Sequence, residues 1–444
     1  MDNQISINLF KQLNKENIKY AVLRNYKTLP ESLGGSDIDL WVCCKDVKDF
    51  FRIIENVAKE QNAHMVSYLP DTLCPKVCYM NSECGIQIDV FCGCIPYQNT
   101  EMIQGEVIQK HIQKYKDIYV LDDQLANLVA FIKEIVNNGT SGEKYIKPLY
   151  DNADLYSLEY IQSVLTLFSA RFSEVLCEAI QGKQLVQKFE KLKKLGRSSL
   201  KTKNIFWHKI SKVSRFWNKP GYVISVQGTD GSGKSTIIDA ITPWLDEAFH
   251  NGIIYNHLRP NVLPDMGVAL GKKEALKDGE KPKVVSDPHA QKPSGLIGSI
   301  VRWGYYMLDY TFGYAKSVYP KIATKAKVFI FDRYYYDYYI DQRRSRTSLP
   351  WWVLRFGEIF VPVPDLILCL GGDPKKIYER KPETSLEEVT RQTNVLKSFC
   401  SCRKNAVWVD TTLAPEESIR LAKEAILDML SQRFNKVTFL SIVR

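Results

Sequence analysis

The chain has 444 residues, of which 45% are hydrophobic and 25% charged; this is longer than one ordinary domain, and the composition excludes wholesale disorder and collagen-like or coiled-coil fibres. Sixty Lys and Arg against 50 Asp and Glu give a net charge of +10, yet residues 181–220 hold twelve of the bases and one acid, Glu190, so this segment carries +11 and the remainder −1. Two nearly neutral bodies joined by a basic segment argue against a nucleic-acid-binding protein.

MDNQISINLF lacks a basic run followed by an apolar one, and no apolar stretch approaches the roughly 20 residues that span a bilayer; the expectation is a cytoplasmic protein. Of eleven cysteines, seven fall in the first 94 residues. Cys74, Cys78, Cys84, Cys92 and Cys94 match no paired C-x-x-C ribbon, so reduced, partly buried thiols are expected in preference to a zinc site.

In residues 1–121, short β-rich runs (YAVLRNY, DIDLWV, VCYM, IQIDVF, IYVL) alternate with helical stretches such as 46–60, the pattern of a small α/β domain. Asp37 and Asp39, two apart at a β-run, point to one face and can share divalent metals with Asp89 from another apolar run. The plain structural alternative, a surface strand behind a Gly-Gly-Ser turn, is weakened by that third acid. YAVLRNYKTLPESLGGSDIDLWV resembles the opening unit of the polymerase-β-like nucleotidyltransferases, which implies Asp37, Asp39 and Asp89 as metal ligands and nucleotidyl transfer as the activity. The Gly-Ser pair that this superfamily carries ahead of its first Asp is replaced by Leu23-Arg24-Asn25. Arg24 either substitutes as a phosphate contact or marks a catalytically weak relative.

Residues 122–200 form a helical module, with apolar positions at three and four spacing (Leu125, Leu128, Val129, Ile132, Ile135; then Ile161, Val164, Leu165, Phe168). In the basic segment 201–220, Phe206, Ile210, Val213 and Trp217 share one helical face with bases elsewhere. That pattern suits a docked linker helix or peripheral contact with an anionic membrane at its inner face, with nucleic acid ranked last. Pro220-Gly221 closes it.

Residues 221–444 alternate five apolar runs (YVISVQG, GIIYNHL, VFIFD, DLILCL, AVWVD) with helical segments, as in a doubly wound parallel five-stranded sheet. After the first run comes QGTDGSGKST. Gly228, four residues, then Gly233-Lys234-Ser235 complete G-x-x-x-x-G-K-S between a strand and a helix, where backbone N–H groups converge on phosphate. Gly228, Asp230, Gly231, Ser232, Gly233, Lys234, Ser235 and Thr236 are the expected nucleotide cradle, with Lys234 on the β and γ phosphates and Ser235 on Mg²⁺. Asp332, ending VFIFD, is placed for a Mg²⁺-shell or base carboxylate, and Arg333 beside it for an anion or a salt bridge.

Asp332-Arg333-Tyr334, the acid Asp230 inside the loop, Leu258-Arg259-Pro260 and a segment at 373–392 carrying Arg380 and Lys381 next to Glu383 together make this half resemble thymidylate kinase and its relatives. The resemblance covers roughly residues 221–430. It implies a P-loop kinase that uses ATP and Mg²⁺, an Arg380-bearing lid, a monophosphate acceptor held by Arg259 and Arg333, Asp230 on the acceptor's sugar, Gln342 in register as an acceptor contact, and often a homodimer. Two departures fall on the acceptor side: Tyr335, Tyr336, Asp337, Tyr338 and Tyr339 replace small residues, and NVLPDMG replaces a glycine-rich turn. Trp303, Tyr306, Tyr310 and Tyr314, at helical spacing, read as core before pocket. The wording also resembles thymidylate kinase-like proteins of bacterial surface-polysaccharide genes, which implies a sugar or glycan acceptor as the alternative. A nucleotide sensor without turnover is the reading from another class.

Overall fold

The computed structural model describes residues 2–97, 100–199, 215–264, 266 and 295–434. Phe206, Ile210 and Val213 of the expected apolar face, Asp265, residues 286–294 of the aromatic segment and the tail VTFLSIVR lie outside them. The described residues fall into two compact units, one ending at Arg215 and the other running from Phe216 to Arg433. The division lies inside the basic segment. Arg215 is buried and donates to the carbonyl of Pro70 at 2.8 Å, Phe216 packs its ring on Tyr319, and Trp217 stands 79% exposed. No helix among the described residues is long and apolar enough to cross a membrane.

The first unit is built on a mixed seven-stranded sheet of order β3-β4-β5-β2-β1-β9-β8. Its strands are β1 (Tyr20–Val22), β2 (Ile38–Val42), β3 (His64–Leu69), β4 (Lys76–Met80), β5 (Gly85–Cys92), β8 (Ile112–Tyr115) and β9 (Ile118–Leu121), with a separate hairpin β6 (Ile95–Tyr97) and β7 (Thr100–Ile103). All five residues of β2 are buried because both faces are covered. Leu40 and Val42 pack with Leu9 and Phe10 of α1 (Gln4–Lys15) and Phe50 and Ile54 of α2 (Val47–Glu60). Trp41, on the other face, packs with Leu125, Leu128 and Ile132, and with Phe172 and Leu176.

That second face is roofed by helices: α3 (Gly105–Lys110), α4 (Asp123–Asn138), α5 (Glu143–Asp151), α6 (Leu158–Val164), α7 (Ala170–Gln181) and α8 (Leu185–Ser198). Asp122 caps α4 through the Leu125 N–H at 2.9 Å, and Gly139, at φ 78°, ends it in the left-handed conformation that favours glycine. Each fully buried Leu or Phe here contributes about 1.5–3 kcal/mol. β3 and β8 go beyond the apolar runs of the sequence. β8 is an edge strand of sequence IQKY with two exposed residues, so no apolar alternation marks it.

In the second unit the five expected runs are the strands β10 (Tyr222–Gly228), β11 (Ile253–His257), β12 (Val328–Asp332), β13 (Leu366–Gly371) and β14 (Ala406–Asp410). They form one sheet of order β11-β12-β10-β13-β14, and every pairing is parallel. This is the five-stranded, all-parallel α/β sheet that the sequence implied, and it is consistent with a P-loop kinase fold. The central strand β10 is buried along its whole length. β11 and β12 lie on one side of β10 and β13 and β14 on the other, so the strand order reverses at β10 and a crevice opens beyond the carboxyl ends of the strands. The aromatic run is core: Tyr334, Tyr335, Tyr336, Tyr338 and Tyr339 all pack in one cluster with Phe331 and Tyr310.

Candidate functional site

The loop after β10 is shaped by contacts that exclude side chains. A Cβ on Gly228 would meet Ser232 Oγ at 2.3 Å and the Leu370 carbonyl at 2.9 Å. Gly231 has φ +79°, and a Cβ there would lie 2.7 Å from the Ile377 carbonyl. The loop therefore lies directly against the segment containing Arg380 and Lys381, and only glycine permits both the turn and the approach. Gly233, at φ 78°, opens the helix Lys234–Ala248 without a side-chain cap, which leaves N–H groups directed at the crevice for an anion.

Lys234 is buried and donates to the carbonyls of Gly228 at 3.1 Å and Thr229 at 2.8 Å. Burial, seconded by the Arg333 charge, pushes its ammonium down to about 7. Asp230 sits 3.9 Å from Lys234 but is held by Arg333 at 2.8 Å and by Arg344. Arg333 is itself buried, has φ +66° and is paired to Asp337 at 2.6 Å; a non-glycine residue in that conformation at a strand tip is backbone strain of about 1–3 kcal/mol, the kind found at functional sites.

Asp332 Oδ2 accepts from the Tyr255 hydroxyl at 3.1 Å, whereas Asp332 Oδ1, Thr229 Oγ1 and Ser232 Oγ are buried without a hydrogen-bond partner. Three orphaned oxygens around a loop with exposed Ser235 and Thr236 suit a group that brings its own cation and phosphates. Lys234, Ser235, Thr236, Asp332 and Arg333 line a cavity of about 760 Å³ that is also bordered by His257, Arg344, Arg380 and Lys381.

Of the expected residues, Asp230, Gly231, Gly233, Lys234, Ser235, Thr236, Asp332, Arg333 and Arg380 meet at this cavity, while Gly228 and Ser232 of the loop do not line it. Arg380 donates to the Thr411 carbonyl at 2.8 Å and Lys381 pairs with Glu383 at 3.0 Å. Arg259 borders a second cavity, of about 140 Å³, with Arg302, Tyr306, Tyr310, Tyr338, Arg344 and Arg346. Arg259 pairs there with buried Asp309 at 2.5 Å and lies over the Tyr306 ring at 4.7 Å. Asp309 also accepts from the N–H groups of Asn261, Val262 and Leu263, so it shapes the loop that replaces the glycine-rich turn.

Gln342 is not brought to either cavity. Its amide instead donates to the Leu349 carbonyl at 3.1 Å and accepts from the Leu349 N–H at 2.6 Å, pinning the loop in between. The sequence reading missed His257 and Arg344; the run DQRRSR was the available signal for the arginine. Of the helical aromatics, Tyr310 and Tyr314 are core, Tyr306 and Tyr310 also border the small cavity, and Trp303 donates to the Tyr335 hydroxyl at 3.2 Å.

In the first unit Asp39 and Asp89 are register partners on parallel β2 and β5, and Lys76 on β4 is the partner of Asp89 on the other side. The oxygens of Asp37, Asp39 and Asp89 lie within 4.8 Å of one another, the only such acid, His or Cys group of three or more among the described residues. The cysteines accordingly do not assemble a metal set there. Two cations already occupy the triad: Arg24 pairs with Asp39 and lies 3.9 Å from Asp37, and Lys76 pairs with Asp89 at 2.9 Å. Burial raises Asp89 to about 6. Three carboxylates suit a divalent cation, but Arg24 and Lys76 must give way for it. A cavity of about 190 Å³ adjoins Arg24 and Asp39 and is bordered by Lys133 and Tyr145.

No protein-family model matches the chain, and no curated protein sequence does. Among solved structures, a thymidylate kinase from Ehrlichia chaffeensis is similar at 15% identity and a TM-score of 0.31, over 48% of this chain and the whole of the other.

Proposed function

We propose that the second unit is an ATP- and Mg²⁺-dependent phosphotransferase that moves a phosphoryl group to a phosphate-bearing acceptor. The observation that carries this reading is the convergence on one cavity of the P-loop Lys234, the half-orphaned Asp332 and three arginines from separate segments, Arg333, Arg344 and Arg380. Binding without turnover needs only the loop and one acid; arginines grouped at the same cavity favour phosphoryl transfer, in which charge on the migrating group must be neutralised.

Bound Mg²⁺–ATP supplies the phosphoryl group and the metal charge, with Ser235 and Asp332 as the residues that would hold the cation. Lys234 and the N–H groups opening the helix Lys234–Ala248 hold the phosphate tail. Arg333, Arg344 and Arg380 place positive charge where negative charge spreads during transfer, in a crevice that Lys381 also borders from the 373–392 segment. Asp332 orients the acceptor hydroxyl or a metal-bound water. Catalysis on this account is positioning and charge neutralisation.

The test is phosphorylation of a panel of nucleoside monophosphates, sugars and sugar phosphates by purified protein with ATP and Mg²⁺. Lys234→Ala should abolish transfer while leaving the fold intact. ATP binding with no acceptor phosphorylated, in the panel or in cell extract, would instead support the sensor. Sugar phosphates taken in preference to nucleotides would support the surface-polysaccharide alternative.

For the first unit we infer a nucleotidyltransferase-like head whose acids are masked by Arg24 and Lys76. Loss of nucleotide transfer on Asp37→Asn supports catalysis there, and unaltered transfer counts against it.

A further inference from the structure

The small cavity of the second unit is richer in cations than one transferred phosphoryl group requires. Arg259, Arg302, Arg344 and Arg346 all border it. Two of these are partnered: Arg259 by Asp309 at 2.5 Å, and Arg344 by Asp230 and by Asp341 at 3.6 Å. Arg302 and Arg346 have no carboxylate partner among the described residues, and Arg302 Nε is buried without an acceptor. A buried guanidinium N–H left unsatisfied costs about 1–3 kcal/mol, and two unpaired cations on one small pocket also repel each other.

The pocket is built around this feature. Arg346, at φ +54°, projects from the loop that Gln342 closes through both ends of its amide and that the Thr347 N–H closes onto the Gln342 carbonyl at 3.1 Å. Arg302 comes from the helix Leu296–Leu308. The Tyr306 ring lies over Arg259 and so holds that guanidinium beside the other two. Arg344 borders both this pocket and the P-loop cavity, so an acceptor spanning the two passes it.

We propose that the acceptor bears a second oxyanion, remote from the phosphoryl-accepting group and held by Arg302 and Arg346. A neutral base or neutral sugar offers these forks lone pairs but no charge, whereas phosphate and carboxylate match them in both geometry and sign. The proposal rests on the phosphotransfer reading and narrows its acceptor to a polyanion, such as a sugar bisphosphate or an acidic sugar phosphate.

The experiment uses the full chain with an ATP analogue and Mg²⁺ saturating the P-loop. Calorimetry compares fructose 1,6-bisphosphate with fructose 6-phosphate, and glucuronic acid 1-phosphate with glucose 1-phosphate; the member with two anionic groups in at least one pair should bind about tenfold more tightly. The pair that shows the preference tells phosphate from carboxylate. In Arg302→Ala/Arg346→Ala the preference should vanish with the affinity for the ATP analogue retained, and Arg302→Lys/Arg346→Lys should restore part of it. No preference in either pair, including no binding of any probe, overturns the proposal, as does a preference that survives the double alanine substitution. Failure of the ATP analogue itself to bind overturns the phosphotransfer reading instead.

Discussion

Nucleotide binding at the P-loop should draw a proton onto Lys234. In the nucleotide-free protein this ammonium is buried, and its nearest acid, Asp230 at 3.9 Å, is already engaged by Arg333 and Arg344. Burial first and Arg333 second push it down to about 7. A polyphosphate beside it supplies the missing negative charge and restores the charged form. A group with a pKa of about 7 is roughly nine-tenths neutral at pH 8 and one-tenth neutral at pH 6, so uptake should approach one proton per nucleotide at pH 8 and fall to about a tenth at pH 6.

The assay is calorimetric titration with a nonhydrolysable ATP analogue and saturating Mg²⁺ in buffer pairs of different ionisation enthalpy, for the protein and for Lys234→Met. Equal uptake at both pH values, or uptake unchanged in Lys234→Met, would refute the reasoning. The same displacement sets a stability trend. The folded pKa lies below the ordinary value of 10.5, so between about pH 7 and 10.5 the unfolded chain binds more protons, and the nucleotide-free protein gains stability as pH rises through that window. Below pH 7 the cost is constant; urea titrations across the range read this directly.

Gly231→Ala places a Cβ 2.7 Å from the Ile377 carbonyl at φ +79° and should cost about 1–2 kcal/mol in urea unfolding and weaken nucleotide binding; a neutral result would mean that the loop does not pack on the 373–392 segment. Asp309→Ala removes the carboxylate that pairs with buried Arg259 and accepts from three backbone N–H groups and should cost about 3–5 kcal/mol. A loss below about 1 kcal/mol, typical of an exposed pair, would contradict the burial of this one. Removing the cation on Asp89 with Lys76→Met should tighten Mn²⁺ binding to the Asp37, Asp39 and Asp89 group by about tenfold or more, measured by paramagnetic resonance. Unchanged affinity would count against a metal role for the triad.

The elements most legible in the sequence are those whose signal is local. Strands β10, β12 and β13 are near-continuous apolar runs because both faces of the sheet are covered there, and the P-loop announces itself because glycines at 228, 231 and 233 are demanded by the turn and by close contacts. Asp37 and Asp39 were readable because a period of two sets one face. Asp89 was readable only as a third acid on an apolar run.

Less legible was everything decided by partners distant in sequence. Gln342 stood in register for an acceptor contact, yet a loop seven residues long consumed its amide. Arg259 and Arg333 were readable as anion binders, but their acids, Asp309, Asp230 and Asp337, were assigned by folding. Arg24 and Lys76 carry no motif, and only the register of β2, β5 and β4 sets Lys76 beside Asp89.

The sequence by itself determined two near-neutral bodies and a basic segment, the parallel five-stranded sheet and the place of its phosphate loop, because composition, hydrophobic period and glycine geometry act within a few residues. Only the tertiary structure decided which charges are neutralised and which stay free. An ion pair depends on where two side chains end up in space, and Arg302 and Arg346, unremarkable in the sequence, were left facing one pocket without an acid partner among the described residues.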